Sequence, residues 1–339
     1  MNIKSIAGSS VEMSESSKLQ TSIHAFLSDL IDYAGLFPPA NLSLETSIKN
    51  YKEFQICKDS WMLGCFIIPI SQLNQLIPYV SMFSKERPLS ISVLGSRSNN
   101  KIEFLNSLHA DLEIVRSFRN GYKRNIKIDI CEIPLPPHIP DRALLQTITK
   151  ATDKSRLQIF CEATIPLDRD WESKILETLD IIAAHNNESD LLLGFKLRTG
   201  GVTAKAFPTS QQIATVLVGC RDRDIPVKFT AGLHHPIRMY REEVNTRMHG
   251  FLNVFTAGML AHIKTLDMIS IVKILDDEKS KNFKFTDKGL QWQDLTVPTS
   301  EIIRLREKLL CSYGSCSFDE PREDLRALGI YSIEEEWRL

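Results

Sequence analysis

Two lysines stand near the ends of apolar runs, where a charge is out of place. Lys196 lies in Leu191-Leu-Leu-Gly-Phe-Lys-Leu-Arg-Thr-Gly-Gly201 and Lys228 in Pro226-Val-Lys-Phe-Thr-Ala-Gly232. A lysine pointing into a dry pocket is favoured as the neutral amine, the form that attacks a carbonyl and makes a Schiff base. Two such lysines at one mouth would each disfavour protonation of the other. The alternative is a lysine that snorkels outward or pairs with a carboxylate. After Lys196, Thr199, Gly200 and Gly201 make a compact turn whose backbone N–H groups could face an anion.

The interval between the two motifs fits one strand–helix unit of a parallel barrel, which would set both ammonium groups on neighbouring strands. The segment 191–258 resembles the class I aldolases of the deoxyribose-phosphate aldolase type. Their strand-six pattern K-T-S-T-G is similar to Lys196-Leu197-Arg198-Thr199-Gly200, and K-x-S/A-G-G is similar to Lys228-Phe229-Thr230-Ala231-Gly232. The resemblance implies a TIM barrel in which Lys196 forms the carbinolamine and Schiff base and Lys228 tunes it. It also implies that an Asp on an earlier strand takes part in proton relay.

Three carboxylates are candidates for that relay: Glu132, Glu162 and Asp129, all on or near the ends of predicted strands. Period-two alternation sets Asp129 and Glu132 on opposite faces of one strand. Arg198, Thr199, Gly201, Gly232, His234, His235 and Arg238 are the candidate substrate-binding groups, suited to the anionic end of a small carbonyl compound. The expected activity is that of an aldolase-like lyase with no cofactor. A metal-dependent hydrolase or lyase is the alternative enzyme, with Glu132, Glu162, His234, His235 and His249 as donors, although the adjacent histidines lack a His-x-x-x-His spacing. A noncatalytic sugar- or anion-binding barrel is the third reading.

The elements that must position these groups alternate. Apolar runs at 62–68, 89–94, 126–133, 157–162, 191–197, 225–230 and 251–255 read as strands, several without polar alternation, as when helices cover a sheet. Segments 171–184, 210–221 and 261–275 carry helical periodicity. For the remaining barrel position, 30–37 competes with 112–115. The former is favoured because Pro38 and Pro39 enforce an extended exit. The fold expected is an α/β (β/α)8 TIM barrel over 21–275, with a mobile Ser-rich tail at 1–20 and a C-terminal extension at 276–339 packed on the barrel. In that extension 301–310 reads as a helix and 313–318 as a loop near the mouth.

Length and composition set the bounds. The 339 residues, 43% hydrophobic and 24% charged, support a large core. Balanced charge, 41 Lys plus Arg against 42 Asp plus Glu, offers no global field for a nucleic acid. No apolar run is long enough to cross a bilayer, so no membrane partner is expected. The 7 cysteines, several in apolar runs, fit reduced thiols and a cytoplasmic location. A homo-oligomer is compatible with the sequence.

Overall fold

The computed structural model describes residues 21–332. The tail expected at 1–20 lies outside the described residues. Eight parallel strands close into a barrel: β1 (Ile31–Tyr33), β2 (Leu63–Pro69), β3 (Leu89–Leu94), β4 (Ile126–Pro134), β5 (Gln158–Glu162), β6 (Leu193–Arg198), β7 (Val227–Thr230) and β8 (Leu310–Ser315). Each neighbours the next, and β8 closes the ring between β7 and β1. This is a TIM barrel, and its consecutive apolar runs follow from burial on both faces.

Local chemistry starts and stops the helices around it. Asn100 caps Lys101–Tyr122 by accepting from the Glu103 N–H, and Asp141 does the same for Arg142–Thr152 through the Leu144 N–H. Thr209 and Gln212 form a reciprocal capping box that opens Ser210–Arg221. Segment 112–115 is interior to the helix Lys101–Tyr122, which leaves β1 as the first strand.

The strand expected at 251–255 is instead the first part of a helix, Phe251–Lys264, buried at every position from Phe251 to Ala261. A short apolar run cannot reveal its period, and only its continuation past Phe255 distinguishes the two structures. Gly258 lets this helix lie on β8: a Cβ there would stand 2.9 Å from a Leu310 methyl. The eighth strand is therefore β8, drawn from residues expected to be the end of a helix and a loop. Ser315 is the last residue of β8, so the segment after 275 contributes to the barrel itself as well as to its periphery.

The peripheral part is a three-stranded antiparallel sheet, Phe283–Thr286, Gly289–Trp292 and Leu295–Pro298. It joins the N-terminal helix Ser22–Leu27 through a hydrogen bond from Ser22 Oγ to the Thr286 carbonyl. The helix Asp319–Ala327 follows β8, and its Arg322 reaches the buried carboxylate of Asp59 at 2.7 Å. Among the described residues no helix is long and apolar enough to cross a membrane.

Candidate active site in the barrel lumen

Strand register brings the charges together. Lys196 pairs with Glu162 on one side and Lys228 on the other, so the three side chains share the inner face. On β4, Glu132 pairs with Phe160, two residues before Glu162 on β5, and so faces inward as well. All four are buried, with Lys196 3% and Lys228 0% exposed.

The result is an alternation of charge across the lumen. Lys196 Nζ stands 2.7 Å from Glu162 Oε2 and 2.6 Å from Glu132 Oε2. These two contacts are ionic rather than well-aligned hydrogen bonds, since neither Oε2 receives a directed donor. Glu132 Oε1 lies 3.0 Å from Lys228 Nζ and accepts from Ser92 Oγ at 2.7 Å. Lys228 then donates to Asp32 on β1, and Ser312 Oγ on β8 donates to the same Asp32 oxygen at 2.6 Å. The backbone N–H of Cys65 takes the second Asp32 oxygen at 2.6 Å. The sequence Glu162, Lys196, Glu132, Lys228, Asp32 thus interleaves three carboxylates with two ammonium groups, as buried charges require.

Pairing reverses the expected electrostatics. Burial alone would lower the lysine pKa values, but Glu132 and Glu162 outweigh it at Lys196 and hold the ammonium above its ordinary range. Asp32 and Glu132 do the same at Lys228. Burial would raise Glu132, yet the two lysines bring it down to about 2, and Glu162 is lowered by Lys196 and Arg198 against the same burial. The resting site holds protonated lysines, contrary to the neutral amine expected from desolvation and mutual repulsion.

The mouth side of the chain is cationic. Glu162 Oε1 lies 3.3 Å from Arg97 and 3.6 Å from Arg198, both well exposed. The turns behind β6 and β7 touch: a Cβ on Gly200 would fall 2.8 Å from the Gly232 Cα, and Gly232 has φ of 77°. Thr199 is occupied in this junction, its N–H on the Thr230 carbonyl at 2.9 Å and its hydroxyl on that of Ala231 at 2.5 Å. Gly201 approaches Ala206, where a Cβ would stand 2.7 Å from the alanine methyl.

Other expected groups are placed apart from the lysine chain. Asp129 sits at a register irregularity near the start of β4 and pairs with Lys127 at 2.9 Å. It lines a cavity of about 820 Å³ at the opposite, N-terminal end of the barrel, which Asp32 and Ser312 also line. His235 Nδ1 contacts Asp324 at 2.6 Å, and Arg238 contacts His249 at 3.0 Å and Asp276 at 3.3 Å. His249 also bonds the Pro208 carbonyl, and burial depresses its pKa to about 4. His234 contacts Cys316 and Glu320. Among the described residues no three His, Cys, Asp or Glu side chains are grouped to hold a metal ion, so the donor set Glu132, Glu162, His234, His235 and His249 is not assembled.

Asp32, Ser92, Ser312 and Arg97 were absent from the sequence candidates. Asp32 carried a signal of the same kind as Lys196, an isolated charge inside the apolar run Leu30-Ile31-Asp32-Tyr33. The serines carried none, because a serine in a strand is unremarkable until its register is known.

No protein-family model matches the chain, and no curated protein matches it. Among solved structures, deoxyribose phosphate aldolase from Aeropyrum pernix is similar over 63% of this chain and 80% of its own, at 12% identity and a TM-score of 0.43. The likeness to an aldolase of the deoxyribose-phosphate type is distant and partial.

Proposed function

We propose that the barrel is an aldolase-like lyase that acts through a Schiff base at Lys196 on a small anionic carbonyl compound. The observation that carries this reading is the position of Lys196 Nζ between two buried carboxylates, 2.6 and 2.7 Å away, one of which, Glu162, also meets Arg97 and Arg198. Arg97 and Arg198 are the groups for the anionic end of the substrate, since both already approach a carboxylate oxygen of Glu162. His234, His235 and Arg238 have other protein partners and contribute less directly.

The chemistry follows from the charge chain. The Lys196 ammonium passes a proton to Glu162, and the freed lone pair adds to the carbonyl carbon. The carbinolamine hydroxyl then leaves as water, carrying a proton returned by Glu162. The resulting iminium accepts the electron pair of the bond between its α and β carbons as Glu162 takes the β-hydroxyl proton, so the second fragment leaves as a carbonyl compound. The enamine regains that proton at its α carbon, and water hydrolyses the imine to free Lys196. Glu132 and Lys228 stay ionised and hold the field around Lys196, with Asp32 holding Lys228. The balancing of charge makes proton transfer within the Lys196–Glu162 pair neutral overall, so it leaves no isolated buried ion.

Complete pairing of both lysines favours a second reading, a barrel that binds an anion without turning it over. Borohydride reduction in the presence of a panel of small carbonyl compounds, followed by peptide mass spectrometry, separates the two. A reduced adduct on Lys196 with carbon–carbon cleavage supports the lyase, and saturable binding with no adduct and no turnover supports the binding barrel.

A further inference from the structure

Beyond the lysine chain, one nucleophile stands at the same end of the barrel. Cys316 follows the last residue of β8, and His234 lies in the connection after β7, the neighbouring strand. Cys316 Sγ is 3.7 Å from His234 Nδ1, and Glu320 Oε2 lies 3.5 Å from the same nitrogen. A serine hydroxyl positions that glutamate locally, since the Glu320 N–H donates to Ser317 Oγ at 3.1 Å. The thiol is nearly covered, at 9% exposure, while the glutamate is 42% exposed.

The geometry points to Cys316 as a nucleophilic thiol, activated by His234 and Glu320, that exchanges with low-molecular-weight disulfides at the barrel mouth. An imidazolium beside a thiol stabilises the thiolate, and the Glu320 carboxylate, which approaches the same ring nitrogen, stabilises the imidazolium. Burial works against a charged His234, yet Cys316 and Glu320 overcome it and raise its pKa to about 9. The remaining cysteines differ. Burial pushes Cys161 up to about 12 and Cys311 to about 11, and Cys65, Cys131 and Cys220 are raised by the same cause. Cys57 lies 3.5 Å from Arg322 and has no imidazole among its described contacts.

In the exchange, the Cys316 thiolate attacks one sulfur of the disulfide, forming a new sulfur–sulfur bond as the old one breaks. The departing thiolate takes the proton of His234 and leaves as a thiol. The Cys316 sulfur is oxidised and the departing half of the disulfide is reduced, so no other oxidant is needed. A mixed disulfide on Cys316 would place its adduct beside the loop after β7, whose Gly232 abuts the turn following Lys196.

The test uses the full chain with oxidised glutathione near neutral pH, following each cysteine by peptide mass spectrometry. Cys316 should be modified on the order of tenfold faster than Cys57 and than the same cysteine in an unfolded peptide, as a thiol held beside an imidazole predicts. His234→Gln, with its circular dichroism unchanged, should remove most of that advantage. Should that variant fail to fold, the pH profile of Cys316 alkylation by iodoacetamide in the unmodified chain replaces it. At and below neutral pH Cys316 should be alkylated faster than the unfolded peptide, with His234, Glu320, His235, Tyr33 and Asp319 the titratable groups in its surroundings. A Cys316 rate no greater than that of the peptide, or one indifferent to His234→Gln, overturns the assignment. The outcome is independent of trapping at Lys196.

Discussion

Glu132 separates Lys196 from Lys228, with one carboxylate oxygen 2.6 Å from the first ammonium and the other 3.0 Å from the second. Two lysines in register on adjacent strands would repel if bare. With a carboxylate between them, each is attracted more strongly to Glu132 than it is repelled by the other, and both remain charged. The arrangement depends on β4 as much as on the lysine strands.

Removing that carboxylate should be costly. Glu132→Gln leaves two buried cations facing each other, and the loss should be about 3–5 kcal/mol, typical of breaking a buried ion pair. Asp129→Asn breaks only the exposed pair with Lys127 and should cost roughly 0–1 kcal/mol. Urea unfolding of the two variants checks the contrast. Equal, small losses would mean that Glu132 does not hold the lysines in solution.

Acid should unfold the barrel through the same group. Glu132 titrates near 2 when folded, below the usual carboxylate range, so it favours the folded state above its unfolded pKa. That contribution is lost as pH falls through the folded value. The unfolding free energy should therefore decline between about pH 5 and about pH 2, and Glu132→Gln should flatten part of the decline. An unchanged acid slope in the variant would contradict the assignment.

Packing beneath the site makes a separate prediction. Gly194 lies two residues before Lys196 on β6 and pairs with Phe160, and a Cβ on it would fall 2.7 Å from the Phe160 ring and 2.9 Å from the Pro226 carbonyl. Gly194→Ala should cost roughly 1–3 kcal/mol, as overpacked cores do. A variant as stable as the parent by thermal unfolding would show that Phe160 can move aside.

Much of the barrel was legible in the sequence because seven of its eight strands carry apolar runs or sharp turn signals. The eighth was not. Leu310-Cys-Ser-Tyr-Gly-Ser is rich in small residues because Ser312 turns its hydroxyl to Asp32 and Gly314 leaves room for Ile67, and that pattern reads as a loop. Phe251–Phe255 took its place because a fully buried helix and a buried strand share the same apolar composition. In the site, lone charges in apolar runs pointed to Lys196, Lys228, Glu132 and Glu162, and the structure brings those four together. Pairing partners and their signs depend on register across five strands, which spacing along the chain does not encode.

Adduct formation should be strongly pH-dependent. Glu132 and Glu162 hold the Lys196 ammonium above its ordinary range, so the amine is freed by alkali or by transfer within the pair. With a neutral aldehyde, which cannot engage Arg97 and Arg198, the initial rate of borohydride trapping should climb steadily from about pH 6 to about pH 9. A plateau reached below neutrality would show a lysine already deprotonated and would contradict the ion-pair geometry.

The most direct measurement is borohydride trapping in Lys196→Arg and Lys228→Arg, each shown folded by circular dichroism. Both substitutions keep the positive charge, but arginine cannot form the imine. Lys196→Arg should abolish the adduct, whereas Lys228→Arg should retain weaker trapping with a displaced pH profile. Parental trapping in Lys196→Arg, or loss of the adduct in Lys228→Arg alone, would contradict the assignment of Lys196 as the nucleophile.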